Sequence, residues 1–143
     1  MQILVEDRRT VENGIALRVP YIVISIHYPT GRPAEIPPDP NCRGTLWLSF
    51  HNADPAQEAV SSDGWLTEAD AERIWAFVQK HRAGIGAIVC HCEQGMSRSP
   101  AVAAALAEAL GEDPTPIVRW TQPNQTVYQL LKSTIVRLPP TDA

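Results

Sequence analysis

The chain has 143 residues, a length at which one folded domain can bury a real hydrophobic core, so we expect a single compact domain over 1–143. Its 16 acidic residues outnumber its 12 Lys and Arg and leave a formal charge of −4, which excludes a global positive field for holding nucleic acid or anionic lipid. Any anion-binding site must therefore be local.

The cysteines and the first residues of the chain bear on its compartment. Cys42, Cys90 and Cys92 form an odd and sparse set, unlike the disulfide framework of a small secreted domain. Residues 1–9 lack the apolar run of a signal peptide, and no stretch of the sequence is long and apolar enough to span a bilayer. We therefore expect a cytoplasmic protein that binds neither a membrane nor nucleic acid.

Runs of β-branched and aromatic residues predict three buried strands, at 21–26 (YIVISI), 45–50 (TLWLSF) and 87–91 (AIVCH). A shorter apolar run at 3–5 predicts an additional edge strand. The proline-rich stretch 29–43 predicts a surface loop, because proline lacks a backbone donor and has a fixed φ angle.

Three helices are predicted between and after these strands. Thr67 and Asp70 resemble the capping pair of a helix over 67–81, since a hydroxyl can accept a free backbone N–H and a carboxylate favours the positive helix end. An alanine-rich run that begins with a proline predicts an interior helix over 100–110. Asn124 can cap a third helix.

Strands that alternate with helices imply right-handed crossover connections. We therefore expect an α/β fold with a mostly parallel central sheet and helices on both of its faces. Ligands bind at the carboxyl ends of the strands in such sheets, so that edge is where catalytic residues are expected.

The segment that carries chemistry is 88–100 (IVCHCEQGMSRSP), in which a strand runs into a tight loop and the loop into a helix. Five residues separate Cys92 from Arg98, enough for the loop to curl until successive backbone N–H groups point at one centre, and Gly95 permits the turn. A phosphate in this nest would receive main-chain hydrogen bonds and a bidentate contact from Arg98. The same field favours a thiolate at Cys92, which could attack phosphorus directly.

The loop HCEQGMSRS, from His91 to Ser99, resembles the His-Cys-five-residues-Arg signature of the protein tyrosine and dual-specificity phosphatases. The likeness continues in LWLSFHNAD, TEADAERIWAFVQKHR and QPNQTVYQLL, and covers 21–131. It implies a cysteine-dependent phosphatase with a tyrosine-phosphatase-like fold and a phosphocysteine intermediate on Cys92. No cofactor or metal is expected, because Arg98 and the backbone amides supply the positive charge.

The resemblance also implies a role for individual residues. Arg98 would bind phosphate, and His91 would orient the loop. Ser99 would hydrogen-bond the sulfur of Cys92 as it leaves the intermediate, and Asp54 would be the general acid. The loop residues expected to bind the substrate are Glu93, Gln94, Gly95, Met96, Ser97 and Arg98.

A separate physical argument supports Asp54 as the acid. The leaving oxygen of a phosphoester needs a proton, and Asp54 follows the end of a predicted strand, at the edge where Cys92 also emerges. Asp63 and Asp39 are competitors for this role, and Glu93 lies within the loop itself. The sequence leaves the choice open.

Other functions are compatible with an anion-binding cysteine loop. Rhodanese-like sulfurtransferases use one, although their usual loop is a residue shorter, and a silent phosphoprotein-binding module would lack the nucleophile or the acid. A lipid or RNA 5′-phosphate substrate would favour extra lysines in the loop, where this chain has Glu93, Gln94 and Met96. A phosphorylated protein or peptide, with phosphotyrosine preferred and phosphoserine or phosphothreonine tolerated, is the expected substrate. No feature of the sequence predicts an oligomeric state.

Overall fold

The computed structural model describes residues 1–52 and 65–138. The elements in chain order are β1 Gln2–Asp7, α1 Arg8–Asn13, β2 Tyr21–His27, β3 Cys42–Ser49, α2 Glu68–His81, β4 Ala87–Cys92, α3 Arg98–Ala109, α4 Thr115–Val118 and α5 Gln125–Arg137. Every predicted strand and helix is present, whereas the short helices α1 and α4 were not predicted.

The four strands form one sheet in the order β1-β4-β2-β3, and each neighbouring pair is parallel. Cys90 of β4 pairs with Val5 of β1 on one side and with Ile24 of β2 on the other. The predicted α/β fold with a parallel central sheet is therefore confirmed. Because all four strands run the same way, their carboxyl ends meet at one edge.

Both faces of the sheet are covered, but unequally. The larger core lies between the sheet and helices α2, α3 and α5, with Ile22, Ile88 and Leu106 fully buried. On the other face, Val23 packs in a smaller cluster with residues of α1 and with Ala34 from the proline-rich loop. A parallel sheet needs both faces buried, so this loop serves as part of the second layer.

The predicted caps of α2 and α5 are confirmed by their hydrogen bonds. The backbone N–H of Asp70 donates to the hydroxyl of Thr67 at 3.1 Å, and the N–H of Thr67 donates back to the Asp70 carboxylate. The N–H of Val127 donates to Oδ1 of Asn124 at 3.1 Å. Each cap satisfies a backbone donor that the helix itself leaves free.

Helix α3 begins at Arg98, two residues before the predicted start at Pro100. Pro100 is tolerated there because backbone donors in the first turn of a helix have no intrahelical partner. The first ten residues of α3, 98–107, are all buried, as expected for an interior helix. In the described ranges, no helix is long and apolar enough to cross a membrane.

Candidate active site

The predicted loop lies at the carboxyl edge of the sheet, between the last residue of β4 and the first residue of α3. Cys92 is at the floor of a cleft with a volume of about 80 Å³, and only 3% of its surface is exposed. The residues that line the cleft are Tyr28, Asn52, Cys92, Glu93, Gln94, Met96, Ser97 and Arg98. Five of the six predicted substrate-binding residues are therefore among its walls.

The environment of Cys92 favours the thiolate. Its Sγ atom lies 3.1 Å from the hydroxyl of Ser99. Burial alone raises the pKa of this thiol, but hydrogen bonds from the Ser99 hydroxyl and from the N–H groups of Ser99 and Gly95, with the charge of Arg98, outweigh burial and hold the pKa below its ordinary value. A thiol with a lowered pKa in a cleft is more readily ionised than an ordinary cysteine.

Cys90 lies on the same strand as Cys92 but before the loop, so its thiol pKa can be compared with that of Cys92. It is fully buried two residues before Cys92, and burial raises the pKa of its thiol far above the ordinary range. Cys90 is therefore an inert core residue. The donors of the loop, rather than the strand, activate Cys92.

Arg98 is almost completely buried, with 2% of its surface exposed. Its Nη1 atom donates to the backbone carbonyl of Phe50 at 2.9 Å, and its guanidinium carbon lies 4.1 Å from the centre of the Tyr28 ring. The guanidinium is thus held by one hydrogen bond and by contact with the Tyr28 ring while it lines the cleft.

Gly95 is the turn residue that the loop requires. Its φ angle is +69°, a conformation that side chains rarely adopt, and a Cβ atom there would lie 3.0 Å from the backbone carbonyl carbon and oxygen of Glu6. The loop therefore packs directly against the end of β1. Gly95 does not line the cleft, but its N–H faces the sulfur of Cys92.

His91 is buried behind the loop with both ring nitrogens engaged. Nε2 lies 2.6 Å from the hydroxyl of Ser25, and Nδ1 lies 3.4 Å from the carbonyl oxygen of Cys92. Burial lowers the pKa of His91, so the ring is neutral at pH 7. In the tautomer that satisfies both contacts, Ser25 donates to Nε2 and Nδ1–H faces the carbonyl.

Glu93 turns toward α1. Its carboxylate forms an ion pair with Arg8 at 3.0 Å, and its carbonyl accepts the backbone N–H of Arg8 at 3.1 Å. Arg8 also donates to the carbonyl of Arg32 at 2.6 Å and pairs with Glu12 at 3.4 Å. These contacts join the loop to α1 and to the proline-rich loop. They also pair the carboxylate of Glu93, the one carboxylate in the loop, with a cation.

The other side of the loop is fastened to the segment before α5. The side chain of Asn52 accepts hydrogen bonds from the hydroxyl of Ser97 at 2.8 Å and from the amide of Asn124 at 3.1 Å. The backbone N–H of Asn124 donates to the carbonyl of Ser97 at 3.0 Å, and that of Gln122 to Met96 at 2.8 Å. Asn124 is therefore both a helix cap and a support of the loop.

Of the candidate general acids, Asp54 and Asp63 lie outside the described residues. Asp39 accepts the hydroxyl of Tyr21 at 2.6 Å. Tyr21 is the first residue of β2, so Asp39 lies at the edge of the sheet opposite Cys92. This position excludes Asp39 as the general acid.

Sequence reasoning missed several residues around the site, namely Arg8, Ser25 and Tyr28. Tyr28 could have been found, because it follows the carboxyl end of β2, where ligands bind in parallel sheets. No local signal identified Ser25. Within 1–52 and 65–138, no three His, Cys, Asp or Glu side chains are grouped where a metal ion could bind.

The fold is similar to those of several solved phosphatase structures. Human DUSP28 is 18% identical, with a TM-score of 0.59 over 94% of this chain and 91% of that one. A mouse dual specificity phosphatase complexed with zinc tungstate is 18% identical, with a TM-score of 0.58 over 94% of this chain and 82% of that one. PTPMT1, in complex with PI(5)P, is 18% identical, with a TM-score of 0.56 over 94% and 90% of the two chains.

No family model matches the sequence, and no curated protein matches it in a sequence search. The likeness to the solved structures is therefore one of fold. It confirms the tyrosine-phosphatase-like fold implied by the resemblance of the loop around Cys92.

Proposed function

We propose that the protein is a cysteine-dependent phosphatase that hydrolyses phosphate monoesters through a phosphocysteine intermediate. The observation that carries the proposal is the placement of Cys92 in a cleft together with Arg98, with its Sγ atom 3.1 Å from the hydroxyl of Ser99 and with loop donors and Arg98 that lower its pKa against the opposing effect of burial. A thiolate with a buried guanidinium beside it, in a cleft large enough for a phosphoryl group, suits attack on phosphorus.

In the first step the thiolate of Cys92 attacks phosphorus, so that an S–P bond forms while the P–O bond to the leaving group breaks. Arg98 and the backbone N–H groups stabilise the charge on the equatorial phosphoryl oxygens. Asp54 protonates the leaving oxygen, the role implied by the family resemblance.

In the second step a water molecule attacks phosphorus, its proton passes to Asp54, and the S–P bond breaks to release phosphate. The hydroxyl of Ser99, 3.1 Å from the sulfur, is placed to donate a hydrogen bond to the departing thiolate. The cycle needs no metal, so we expect full activity in excess chelator. Metal-dependent turnover would contradict this scheme.

The proposed substrate is a phosphorylated protein or peptide, with phosphotyrosine preferred. Among the described residues that line the cleft, Arg98 is the one cation, and the carboxylate of Glu93 is paired with Arg8. A headgroup with several phosphates would favour additional cations at the rim. The similar fold of PTPMT1, which is complexed with PI(5)P, makes phosphoinositides the runner-up substrates.

A reducing compartment agrees with the cysteines, all of which are free: Cys42, Cys90 and Cys92. The proposed nucleophile would be inactivated by oxidation, because a thiolate is the form most readily oxidised. We therefore propose a cytoplasmic location.

The first experiment compares wild type with Cys92→Ser on a substrate panel. The panel contains phosphotyrosyl and phosphoseryl peptides, phosphoinositide vesicles and RNA with a 5′-phosphate. We expect turnover of the phosphotyrosyl peptide by wild type and near-complete loss in the variant. Activity of Cys92→Ser near that of wild type refutes covalent catalysis. Transfer of sulfur from thiosulfate to cyanide, with no phosphatase activity, would identify a sulfurtransferase instead.

Arg98→Lys tests the proposed phosphate contact. A point ammonium cannot replace a planar fork that grips two oxygens, so the variant should lose nearly as much turnover as Cys92→Ser. The matched control is Arg119→Lys, a substitution in α4's C-terminal cap, outside the cleft. Unchanged turnover in Arg98→Lys excludes the proposed role.

The role of Asp54 is tested by varying the leaving group. Asp54→Asn should lower kcat by roughly 10² to 10⁴ for a poor leaving group, the usual range for general acid catalysis. The loss should be much smaller with an activated aryl phosphate, whereas misfolding would depress both substrates alike. If Asp54→Asn is harmless and Asp63→Asn is not, Asp63 is the acid.

A further inference from the structure

We propose that Tyr28 is a positioning residue that holds the guanidinium of Arg98 in the orientation that binds phosphate. The inference rests on the proposed function and adds to it a residue outside the signature loop. Tyr28 directly follows β2 and lines the cleft, with its ring centre 4.1 Å from the guanidinium carbon of Arg98.

Burial and two contacts restrict Arg98. The residue is 98% buried, its Nη1 donates to the carbonyl of Phe50 at 2.9 Å, and its guanidinium carbon lies over the Tyr28 ring, 4.1 Å from the ring centre. One hydrogen bond fixes a single atom of the guanidinium and leaves the rest of the group able to move. The ring blocks movement toward its own side, so Phe50 and Tyr28 together restrict the position and the orientation of the group.

The restricted guanidinium still has a free edge toward ligand. No described residue accepts a hydrogen bond from Nε or Nη2 of Arg98. These two atoms form the parallel fork that matches two oxygens of one phosphoryl group. The contact with Phe50 occupies the other end of the guanidinium, so the ring of Tyr28 determines where the free fork points.

Tyr28 is itself held in place without being a core residue. Its carbonyl accepts the N–H of Gly31 at 2.8 Å, which closes a tight turn after β2, and its ring lies 6.4 Å from the ring of His51. The side chain is 39% exposed. No described residue hydrogen-bonds its hydroxyl, so the aromatic ring is the part that the inference requires.

The test measures oxyanion binding without turnover. Tungstate affinity is determined by calorimetry for wild type, Tyr28→Phe and Tyr28→Leu. We expect Tyr28→Phe to bind within twofold of wild type and Tyr28→Leu to bind about 5- to 30-fold more weakly, the range of a desolvated cation–π contact. Tyr128→Leu is the matched control, because it removes a tyrosine that faces Lys132 instead, and its affinity should not change.

A second readout reports on Arg98 directly. In wild type and Tyr28→Phe the aromatic ring should shift the Nε–H resonance of Arg98 in NMR spectra, and Tyr28→Leu should remove that shift. Thermal unfolding should be unchanged in Tyr28→Leu, and Tyr28→Met replaces that variant if it does not fold. Wild-type tungstate affinity in the aliphatic variant, or an Arg98 resonance that does not move, overturns the inference.

Turnover separates this inference from the proposed function. If the protein is a phosphatase, Tyr28→Leu should lower kcat/KM by a similar factor for aryl and alkyl phosphates, since the defect lies at the phosphoryl group. A loss confined to the KM of aryl substrates would mean that Tyr28 contacts the leaving group, and would overturn the inference. Weaker tungstate binding by Tyr28→Leu in a protein without phosphatase activity would refute the proposed function but support the positioning of Arg98.

Discussion

The hydroxyl of Ser25 lies 2.6 Å from Nε2 of His91, and the two residues are register partners on the neighbouring strands β2 and β4. Both side chains are buried. The carbonyl of Cys92 can only accept, so in the neutral ring that satisfies both contacts the proton is on Nδ1 and Nε2 accepts from Ser25. A serine in the core thus supplies the donor that completes this tautomer of His91.

Ser25→Ala should therefore leave Nε2 of His91 as an unpaired buried acceptor. We expect the free energy of unfolding to fall by about 1–3 kcal/mol, measured by urea denaturation. Nitrogen NMR of the His91 ring should show one tautomer in wild type and a mixture in the variant. Ser133→Ala is the control, because it removes an exposed hydroxyl that bonds Leu130 and should change stability by less than about 0.5 kcal/mol. Equal stability of wild type and Ser25→Ala would contradict the assignment.

Ser99→Ala should raise the pKa of Cys92. The Ser99 hydroxyl is the strongest of the contacts that lower this pKa, and burial, which raises it, is unchanged in the variant. The pH dependence of alkylation by iodoacetamide measures the shift, and each unit of increase lowers the thiolate fraction about tenfold below the pKa. Ser49→Ala, an exposed serine at the end of β3, is the control. A Cys92 pKa that is unchanged or lowered in Ser99→Ala would show that the backbone donors suffice.

Gly95→Ala and Gly111→Ala form a matched pair. Both glycines have positive φ angles, +69° and +74°, so alanine is strained at either position by about 1–2 kcal/mol. A Cβ at Gly111 meets nothing within 4 Å, whereas one at Gly95 lies 3.0 Å from the backbone of Glu6. Urea denaturation should show a larger stability loss in Gly95→Ala, and calorimetry a loss of tungstate binding in that variant alone. Equal effects would mean that the close approach to β1 is unimportant.

Stability should fall as the pH decreases from 7.5 to 5.5. Burial lowers the pKa values of His27, His81 and His91, so the unfolded chain binds more protons than the folded protein as the pH falls through about 6.5. Urea denaturation of Cys92→Ser measures the effect, because the lowered thiol pKa of wild type would give the same trend.

Glu6 provides the control for this pH dependence. Burial raises the pKa of its carboxyl, so the folded protein takes up that proton more readily as the pH falls, which opposes the effect of the histidines. Glu6→Gln should therefore steepen the loss of stability toward pH 5.5. A flat profile in both proteins would show that the histidines are protonated in the folded state.

The sequence by itself determined the strand-loop-helix unit that carries Cys92, Gly95 and Arg98. These residues lie within seven positions of one another, so the geometry of a short loop between a strand and a helix places them together whatever surrounds them. The main helices and strands were also predictable, because the spacing of their apolar residues follows the side of each helix or strand that is buried. The predicted start of α3 is two residues late, because proline favours the first helical position whereas the helix begins at Arg98.

Only the tertiary structure decided which residues contact the loop from other parts of the chain. Ser25 is 66 positions from His91, and Phe50 is 48 positions from Arg98. These contacts exist because β4 lies between β1 and β2 in the sheet, with β3 on the far side of β2. The strand order results from packing of the whole chain, and no local pattern encodes it. The local sequence therefore placed Cys92 and Arg98 in one loop, and long-range packing supplied the partners that restrict their orientation.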